Sequence, residues 1–415
     1  MTRFNKFLFV RRNFCFLSFG FGVTVFSSFG QTYFFSLFNG AIQETFGLSA
    51  GDLGNMYALA TLLSAVALIW AGRLIDVWDL RVFCVASCVL LASFAVIFAA
   101  SNGLWMVFIA VFGLRFAGQG LMTHAAMTSM VRYFKEERGL AVGISNAGFA
   151  VGFALFPAIA AWLLSSVGWR LSWLFSAIFI ITVVLPLTLL QLRGHAARHH
   201  RYLVTQEEYL DSMGVSESRQ WTRLEMLRDF RFYLMLPALM SIPIVMTGLQ
   251  FHQVHLVAEK GWSLNVFANA YSAFAIASIA SGLLAGILID RWGGARRLLP
   301  YFLTPFAAAL MTLILFSNSW SIWLYMVATG MALGLFLATY NVIWGEVYGT
   351  RYLGSIRALA TSIMILGSAM SPAVMGWLID WGWGMDQIAL VSLVFVLIAV
   401  GLAILASKRL QSQPL

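Results

Sequence analysis

The sequence predicts an all-α membrane protein with twelve transmembrane helices in two pseudo-symmetric six-helix bundles. Of its 415 residues, 60% are hydrophobic and 10% are charged, whereas soluble domains carry about 25% charged residues. Twelve apolar segments have roughly the length of about 20 residues that a helix needs to cross a bilayer. A short sequence motif of the first half of the chain recurs in the second half. The bilayer is therefore the expected solvent, and duplication explains the two halves.

The apolar segments are predicted as helices because hydrocarbon offers no partner for backbone N–H and C=O groups. The first six segments form a predicted bundle over residues 1–192, and the last six form another over 231–415. A polar linker, 193–230, joins them. The segments cover residues 14–40, 51–71, 82–100, 104–131, 139–164, 171–192, 231–257, 264–289, 298–317, 319–345, 356–379 and 387–407.

One short motif occurs in both halves. Gly72 and Asp76 lie in AGRLIDVWDLR, and Gly286 and Asp290 lie in AGILIDRWGGARR, 214 residues later. Each copy closes an apolar segment on the same predicted side of the membrane. Paired halves of this kind are how alternating-access transporters are built.

The positive charges predict the orientation. The net charge is +9, and Lys and Arg fall in short breaks on one side of the segments. The opposite side receives only Arg170 and Lys260. The positive-inside rule then places both termini in the cytoplasm, for a protein of the inner or plasma membrane. Because the cations form no single patch, nucleic acid is not an expected partner.

The second copy of the motif resembles the loop motif of the major facilitator superfamily. Gly286, Asp290, Arg291 and Gly293 all stand at matching positions. In the first copy, Val77 and Asp79 depart from that pattern. The resemblance implies the major facilitator fold and transport by alternating access.

Further stretches resemble particular parts of this family. LRFAGQG is similar to its second motif, with Gln119 one position later than usual. VRYFKEERGLAVGI and GEVYGTRYLGSIRALA resemble the branch of monocarboxylate and oxalate/formate porters. The family resemblance implies that helices 1, 4, 7 and 10 line a central cavity.

Charged and glycine residues at the inner helix ends are predicted to form a cytoplasmic gate. Gly allows two helices to approach closely, and a carboxylate there can pair with Arg or a helix N-terminus. Ordinary anchoring of loops is the alternative. The gate residues are Gly72, Asp76, Arg81, Arg138, Gly286, Asp290, Arg291 and Glu346.

Arg115 is the one Lys or Arg predicted deep inside a helix. It lies about 16 Å along helix 4 from the outer end, at 1.5 Å per residue. Burying a charge there costs at least about 2.5–3.5 kcal/mol. Two interpretations stay open: Arg115 binds an anionic substrate through a two-point contact, or it is structural. Gln119, four residues on, shares its face.

Other polar residues in the segments are candidates for substrate binding. Each could instead form an interhelical hydrogen bond worth about 0.6 kcal/mol. Besides Arg115 and Gln119, the candidates are Gln31, Tyr33, Asn146, Gln250, Gln253, Tyr271, Tyr340 and Asn341.

Three histidines are candidates for proton coupling, because histidine titrates near pH 6.5. His252 and His255 lie near the outer end of helix 7, where an interfacial polar belt is the alternative. His124 faces away from Arg115, and packing against a neighbouring helix is expected for it. No Asp or Glu lies in the middle of a predicted helix, so a cavity holding Arg115 should favour anions over cations.

The sequence therefore predicts a secondary active transporter of a small organic anion, for example a monocarboxylate. The anion moves with a proton or in exchange for another anion. Export of a drug-like or metabolite solute is one alternative, and a membrane solute sensor without transport is another. No enzymatic site, cofactor or metal site is expected, because His195 and His199 lack further ligands. A monomer is expected.

Overall fold

The computed structural model describes residues 3–72, 74–134, 138–199, 221–349 and 353–411, and these contain helices but no strand. Along the first part of the chain the helices are α1 (Arg3–Arg12), α2 (Phe14–Gly30), α3 (Thr32–Phe46), α4 (Ala50–Ala71), α5 (Leu74–Val77), α6 (Leu80–Ala99), α7 (Leu104–Tyr133), α8 (138–167) and α9 (169–191). The predicted all-α class is confirmed.

The second part of the chain repeats the alternation of long helices and short connections. Its helices are α10 (Arg223–Arg228), α11 (Phe230–Phe251), α12 (Gln253–Glu259), α13 (Leu264–Trp292), α14 (Ala295–Leu298), α15 (Thr304–Leu315), α16 (Ser319–Tyr348), α17 (Leu353–Asp380) and α18 (Met385–Gln411).

The number of spanning helices depends on how three segments are counted. Among the described residues, nine helices are long and apolar enough to cross a membrane, and the bent pair α2–α3 makes a tenth. The predicted twelve are reached when the continuous stretch Gly139–Gln191 is divided at Gly168 and the short apolar α15 is included. Gly168 has φ 74° and ψ 170°, which are not helical values.

Two predicted helices are interrupted. Segment 14–40 is broken at Gln31, whose φ of −90° and ψ of 151° are extended, and α2 and α3 meet there at 46°. Segment 231–257 is interrupted at His252, with φ −94° and ψ 19°. These segments are helices 1 and 7, which hold equivalent places in the two halves. Each break leaves backbone carbonyls that need other partners.

Local sequence signals explain several helix ends. The Asp79 side chain accepts from the Arg81 N–H and caps α6. Thr222 and Glu225 form a reciprocal capping box at the start of α10. At the other end of a helix, Gly293 adopts φ 76° and stops α13.

Contacts divide the chain into two compact units. Unit 1 is drawn from Met1–Phe35, Leu63–Phe156 and Trp162–Ser216, and unit 2 from Ser36–Leu62, Pro157–Ala161 and Glu217–Leu415. The bundles predicted from the sequence follow chain order, at 1–192 and 231–415. Within unit 2, Ser36–Leu62 covers most of α3 and the first part of α4. The bundle boundaries at 1–192 and 231–415 stay a prediction.

Aromatic side chains build the core of unit 1. The Trp173 ring is fully buried, and its centroid lies 5.3 Å from that of Phe34 and 5.0 Å from that of Phe98. In unit 2, Trp344 and Tyr271 are likewise almost fully buried. Many other large apolar side chains are exposed, as expected where lipid replaces water as the solvent.

Candidate functional site

The side chain of Arg115, a residue of α7, reaches the break in helix 1 between α2 and α3. It is 5% exposed and lies where α7 changes to a π-helical stretch, Arg115–Met122. Its Nη1 donates to the Gly30 carbonyl oxygen at 2.9 Å and lies 3.4 Å from Thr32 Oγ1. The guanidinium therefore satisfies a carbonyl that the helix break would otherwise leave without a partner.

The backbones of α2 and α7 touch beside this contact. A Cβ on Gly30 would overlap the Leu114 carbonyl oxygen and would lie 2.7 Å from the Gln119 nitrogen. A Cβ on Gly118 would lie 2.7 Å from Gly30 Cα. Two glycines thus allow the approach that brings Arg115 to the break.

The other candidates of unit 1 differ in accessibility. Tyr33 is 2% exposed, its hydroxyl lies 2.7 Å from Ser28 Oγ, and its ring centroid lies 4.0 Å from that of Phe153. Gln119 and Asn146 are exposed, whereas Gln31 is half-buried. Tyr33 is therefore packed in the interior, whereas the amide side chains are at least partly exposed.

The candidates on helix 7 enter a buried network in unit 2. Gln253 Nε2 donates to Ser36 Oγ at 2.8 Å, and Tyr271 Oη donates to Gln253 Oε1 at 2.8 Å. Asn39 Nδ2 donates to the Phe251 carbonyl oxygen at 2.7 Å. Helix 7 therefore has its freed carbonyl satisfied by a side chain, as helix 1 does.

The histidines near this network have different surroundings. His252 is 5% exposed, and its Nε2 lies 2.8 Å from the Pro372 carbonyl oxygen, to which it can donate. His255 is more exposed and lies 3.6 Å from a Glu259 oxygen. Gln250, 9% exposed, lies one turn away on α11.

Asp380 joins the end of α17 to the start of α4. Its carboxylate accepts from Ser49 Oγ at 2.8 Å, from Ala50 N at 3.1 Å and from Gly51 N at 2.8 Å. The Ala50 and Gly51 N–H groups are the first of α4, and the dipole of a helix favours negative charge at this end. All of these residues belong to unit 2.

Glycines allow α4 and α17 to pack closely near the Asp380 carboxylate. A Cβ on Gly54 would lie 2.5 Å from the Pro372 carbonyl oxygen, and one on Gly376 would lie 2.6 Å from that of Ala50. One of these glycines lies on each helix, so the two backbones are in contact.

Tyr340 and Asn341 contact α17 through polar side chains. Arg357 Nη2 donates to Asn341 Oδ1 at 2.7 Å. The Tyr340 hydroxyl lies 3.2 Å from Thr361 Oγ1. Asn341 is exposed, Arg357 is half-buried, and Tyr340 is buried.

The predicted gate residues of the first half anchor helix ends within unit 1. Arg81 Nε and Nη2 donate to the Leu192 carbonyl oxygen at 3.2 and 3.1 Å. His124 Nε2 lies 3.0 Å from the Gly72 carbonyl oxygen. The side chains of Asp76 and Arg138 lie outside the described part of the structure.

In the second half, Glu346 is the most connected of the predicted gate residues. It accepts from Ala295 N at 2.6 Å and pairs with Arg296 Nε at 3.2 Å. Gly286, Asp290 and Arg291 are exposed. Arg351 follows Glu346 closely in the sequence but lies outside the described residues, and the structure pairs Glu346 with Arg296.

His195 attaches the start of the linker to unit 1. It is 2% exposed, and its ring stacks on Phe16 with centroids 5.8 Å apart. The Tyr133 hydroxyl lies 2.9 Å from His199 Nδ1 and 3.4 Å from His195 Nε2. Among the described residues, no group of three or more His, Cys, Asp or Glu could hold a metal ion.

The attachment at His195 is expected to loosen in acid. Burial lowers the pKa of His195 from 6.5 to about 4; Asp79 opposes this shift, and Arg198, His199 and Arg81 add to it. When the linker is detached, His195 keeps its ordinary pKa and binds a proton more readily than in the attached state. The attachment is therefore fully stable above pH 6.5 and weakens as the pH falls towards 4.

Hydrogen exchange of residues 193–199, corrected for intrinsic rates, would measure this effect between about pH 7 and about pH 5. Protection should decrease with pH in the wild-type protein. His195→Phe should remove most of that dependence. Constant protection in the wild-type protein would contradict the prediction.

Sequence reasoning missed two connected residues. They are Asp380 and Arg357, whose side chains form hydrogen bonds to other helices. Helical spacing indicated part of the surroundings of Arg357, because Thr361 lies four residues further along α17 and shares its helix face. No local signal links Asp380 to Ser49, which lies 331 residues away.

The fold and these helix contacts define a helical integral membrane protein with a duplicated architecture. The family model of the Major Facilitator Superfamily matches residues 20–255 and again 239–414. The chain therefore belongs to this superfamily, whose members bind small-molecule substrates, and the family predicted from the sequence motifs is confirmed.

Two curated relatives cover almost the whole chain. A protein of Thermoproteus tenax described as an uncharacterized 38 kDa protein in the 23S RNA operon is 26% identical over 405 residues, 96% of this chain and 97% of that protein. The oxalate:formate antiporter of Oxalobacter formigenes is 22% identical over 405 residues, 92% of this chain and 88% of that protein.

A solved structure has the same fold. It is the inward-facing, unoccupied form of a bacterial homolog to the human lysosomal transporter Spinster. The TM-score is 0.66 at 16% identity, over 96% of this chain and 98% of that chain.

Proposed function

We propose that the protein is a secondary active transporter that moves a small organic anion by alternating access. The anion moves with a proton or in exchange for another anion. The protein acts as a monomer in the plasma membrane, with both termini in the cytoplasm and the Asp380 contacts on the outer side.

The main support for this proposal is that a cation, and no carboxylate, lies deep within the described parts of the spanning helices. Arg115 is a buried cation within the spanning helix α7. Among the described residues, the acidic side chains of the spanning helices lie within a few residues of helix ends, as Glu346 and Asp380 do. A cavity with interior positive charge and no interior carboxylate attracts anions and repels cations.

The relatives support the same class of substrate. The Oxalobacter formigenes protein is named for exchange of oxalate and formate. At 22% identity this supports anion transport without selecting one anion. The exposed amides of Gln119 and Asn146 could supply further hydrogen bonds to a carboxylate.

Uptake by purified protein in proteoliposomes tests the proposal. We expect labelled short mono- and dicarboxylates to accumulate when the outside is acidic or when the vesicles are preloaded with a second carboxylate. The first condition reports proton coupling, and the second reports exchange. A cationic dye should not be moved.

Two outcomes would favour the alternatives. Movement of a cationic dye, with no uptake of organic acids, would indicate an exporter of drug-like solutes. Saturable binding of a carboxylate without counterflow of label would indicate a solute sensor, because a sensor binds without accumulating its ligand.

A further inference from the structure

Four polar side chains meet where α16 ends and α17 begins. Arg357 and Thr361 lie on one face of α17, and Tyr340 and Asn341 are neighbours on α16. The two bonds between the helices are Arg357 Nη2 to Asn341 Oδ1, at 2.7 Å, and Tyr340 Oη to Thr361 Oγ1, at 3.2 Å. These residues are called the α16–α17 polar cluster below.

In the part of the chain that the structure describes, no carboxylate pairs with the positive charge of this cluster. Other arginines of unit 2 form ion pairs, Arg231 with Asp229 at 2.9 Å and Arg296 with Glu346 at 3.2 Å. No ion pair found among the described residues includes Arg357, and its recorded partner is the neutral amide of Asn341. A guanidinium has five N–H donors, so donors remain for a ligand.

The cluster is also accessible. Asn341 is exposed, and Arg357 is half-buried. Arg357 is the fifth residue of α17, so it lies near the start of this helix. Arg115, by contrast, lies about 16 Å inside α7, at 1.5 Å per residue. The two cations thus stand at different depths along their helices.

We propose that the α16–α17 polar cluster is a second anion-binding subsite, which captures the carboxylate of the substrate on the cytoplasmic side before or after its passage. The inference rests on the proposed anion transport. Arg357 would hold the carboxylate by a two-point contact. The Asn341 amide orients the guanidinium through Oδ1, and its Nδ2 can donate to the bound anion.

Transport from each side of the membrane tests this subsite. Right-side-out and inside-out vesicles give the KM for a carboxylate at the outer and at the cytoplasmic face. In Arg357→Gln we expect the cytoplasmic KM to rise about tenfold, the equivalent of about 1.4 kcal/mol. The outer KM should change by less than about twofold. Arg357→Lys, which keeps the charge but loses the fork, should lie between.

Arg297→Gln is the matched control, because Arg297 is an exposed cation at the adjacent helix end. Its KM values should remain those of the wild-type protein. Thermal unfolding of each purified variant checks folding. An Arg357→Gln protein that is folded and active with unchanged KM at both faces would overturn the subsite, as would an equal rise at both faces.

Anionic lipid headgroups offer the same chemistry as a substrate carboxylate. Measuring KM in membranes of neutral lipid and in membranes containing anionic lipid separates the two sources. The proposal requires the effect of Arg357→Gln in neutral lipid; an effect confined to anionic lipid would assign Arg357 to the headgroups. A wild-type protein that moves no carboxylate would overturn the proposed function together with the subsite.

Discussion

Replacing Arg115 by glutamine is expected to abolish anion transport and to destabilise the protein. The Arg115 guanidinium donates to the Gly30 carbonyl oxygen at the break of helix 1. A hydrogen bond to a charged group contributes about 1.5–3 kcal/mol, and a buried carbonyl left without a partner adds its own cost. Thermal unfolding in detergent and uptake in proteoliposomes measure the two effects.

Comparison of two variants separates the structural from the binding role of Arg115. Arg115→Lys keeps a charge and a donor for Gly30, so it should unfold closer to the wild-type temperature than Arg115→Gln. Stabilisation by added carboxylate reports binding independently of transport. Retained transport by Arg115→Gln with unchanged affinity would rule out substrate binding by this side chain.

Replacing Asp380 by asparagine is expected to open the contact between α17 and α4. The asparagine amide can accept through one oxygen, whereas the carboxylate accepts through two from Ser49, Ala50 and Gly51. The negative charge at the helix N-terminus is also lost, and together these terms amount to about 1–2 kcal/mol. In the proposed alternating-access cycle this contact closes one end state, so the rate of transport should change.

A cysteine at Ala58 would detect this opening. Ala58 is 4% exposed and lies one turn beyond Gly54 on the same face of α4. After replacement of the three native cysteines, labelling of Ala58→Cys by an impermeant maleimide should be about tenfold faster with Asp380→Asn, for a difference of about 1.4 kcal/mol.

Glu44→Gln is the control for Asp380→Asn, because Glu44 is an exposed carboxylate of the neighbouring α3. It should leave both the labelling rate and transport unchanged. Equal labelling of Ala58→Cys with and without Asp380→Asn would show that the carboxylate does not hold this contact closed.

Most of the predicted helices are present in the structure, and the differences lie where distant residues meet. Segment 14–40 is predominantly apolar, and its few polar residues do not by themselves require a break at Gln31. The break depends on Arg115 and Gly118, which lie about 85 residues further along the chain. The break at His252 likewise has its free carbonyl satisfied by Asn39, 212 residues away.

Contacts between distant residues were also not predictable in the candidate site. Gln253 and Tyr271 were predicted for the cavity from their helix and polarity. In the structure they bond to one another and to Ser36, which periodicity could not indicate. Their role in substrate binding stays a prediction, as does that of Arg115. For Asn341 the structure adds a partner, Arg357, which lies on α17, 16 residues further along the chain.

By itself, the sequence determined the solvent, the helical class and the superfamily. Hydrocarbon leaves backbone groups no other partners, so long apolar segments must be helices, and repeated motifs report duplication directly. The tertiary structure alone decided which polar groups meet. Periodicity assigns a side chain to a helix face, but its partner depends on which face of another helix packs there. That packing places Arg115 on Gly30, Asp380 on the start of α4, and Arg357 beside Asn341.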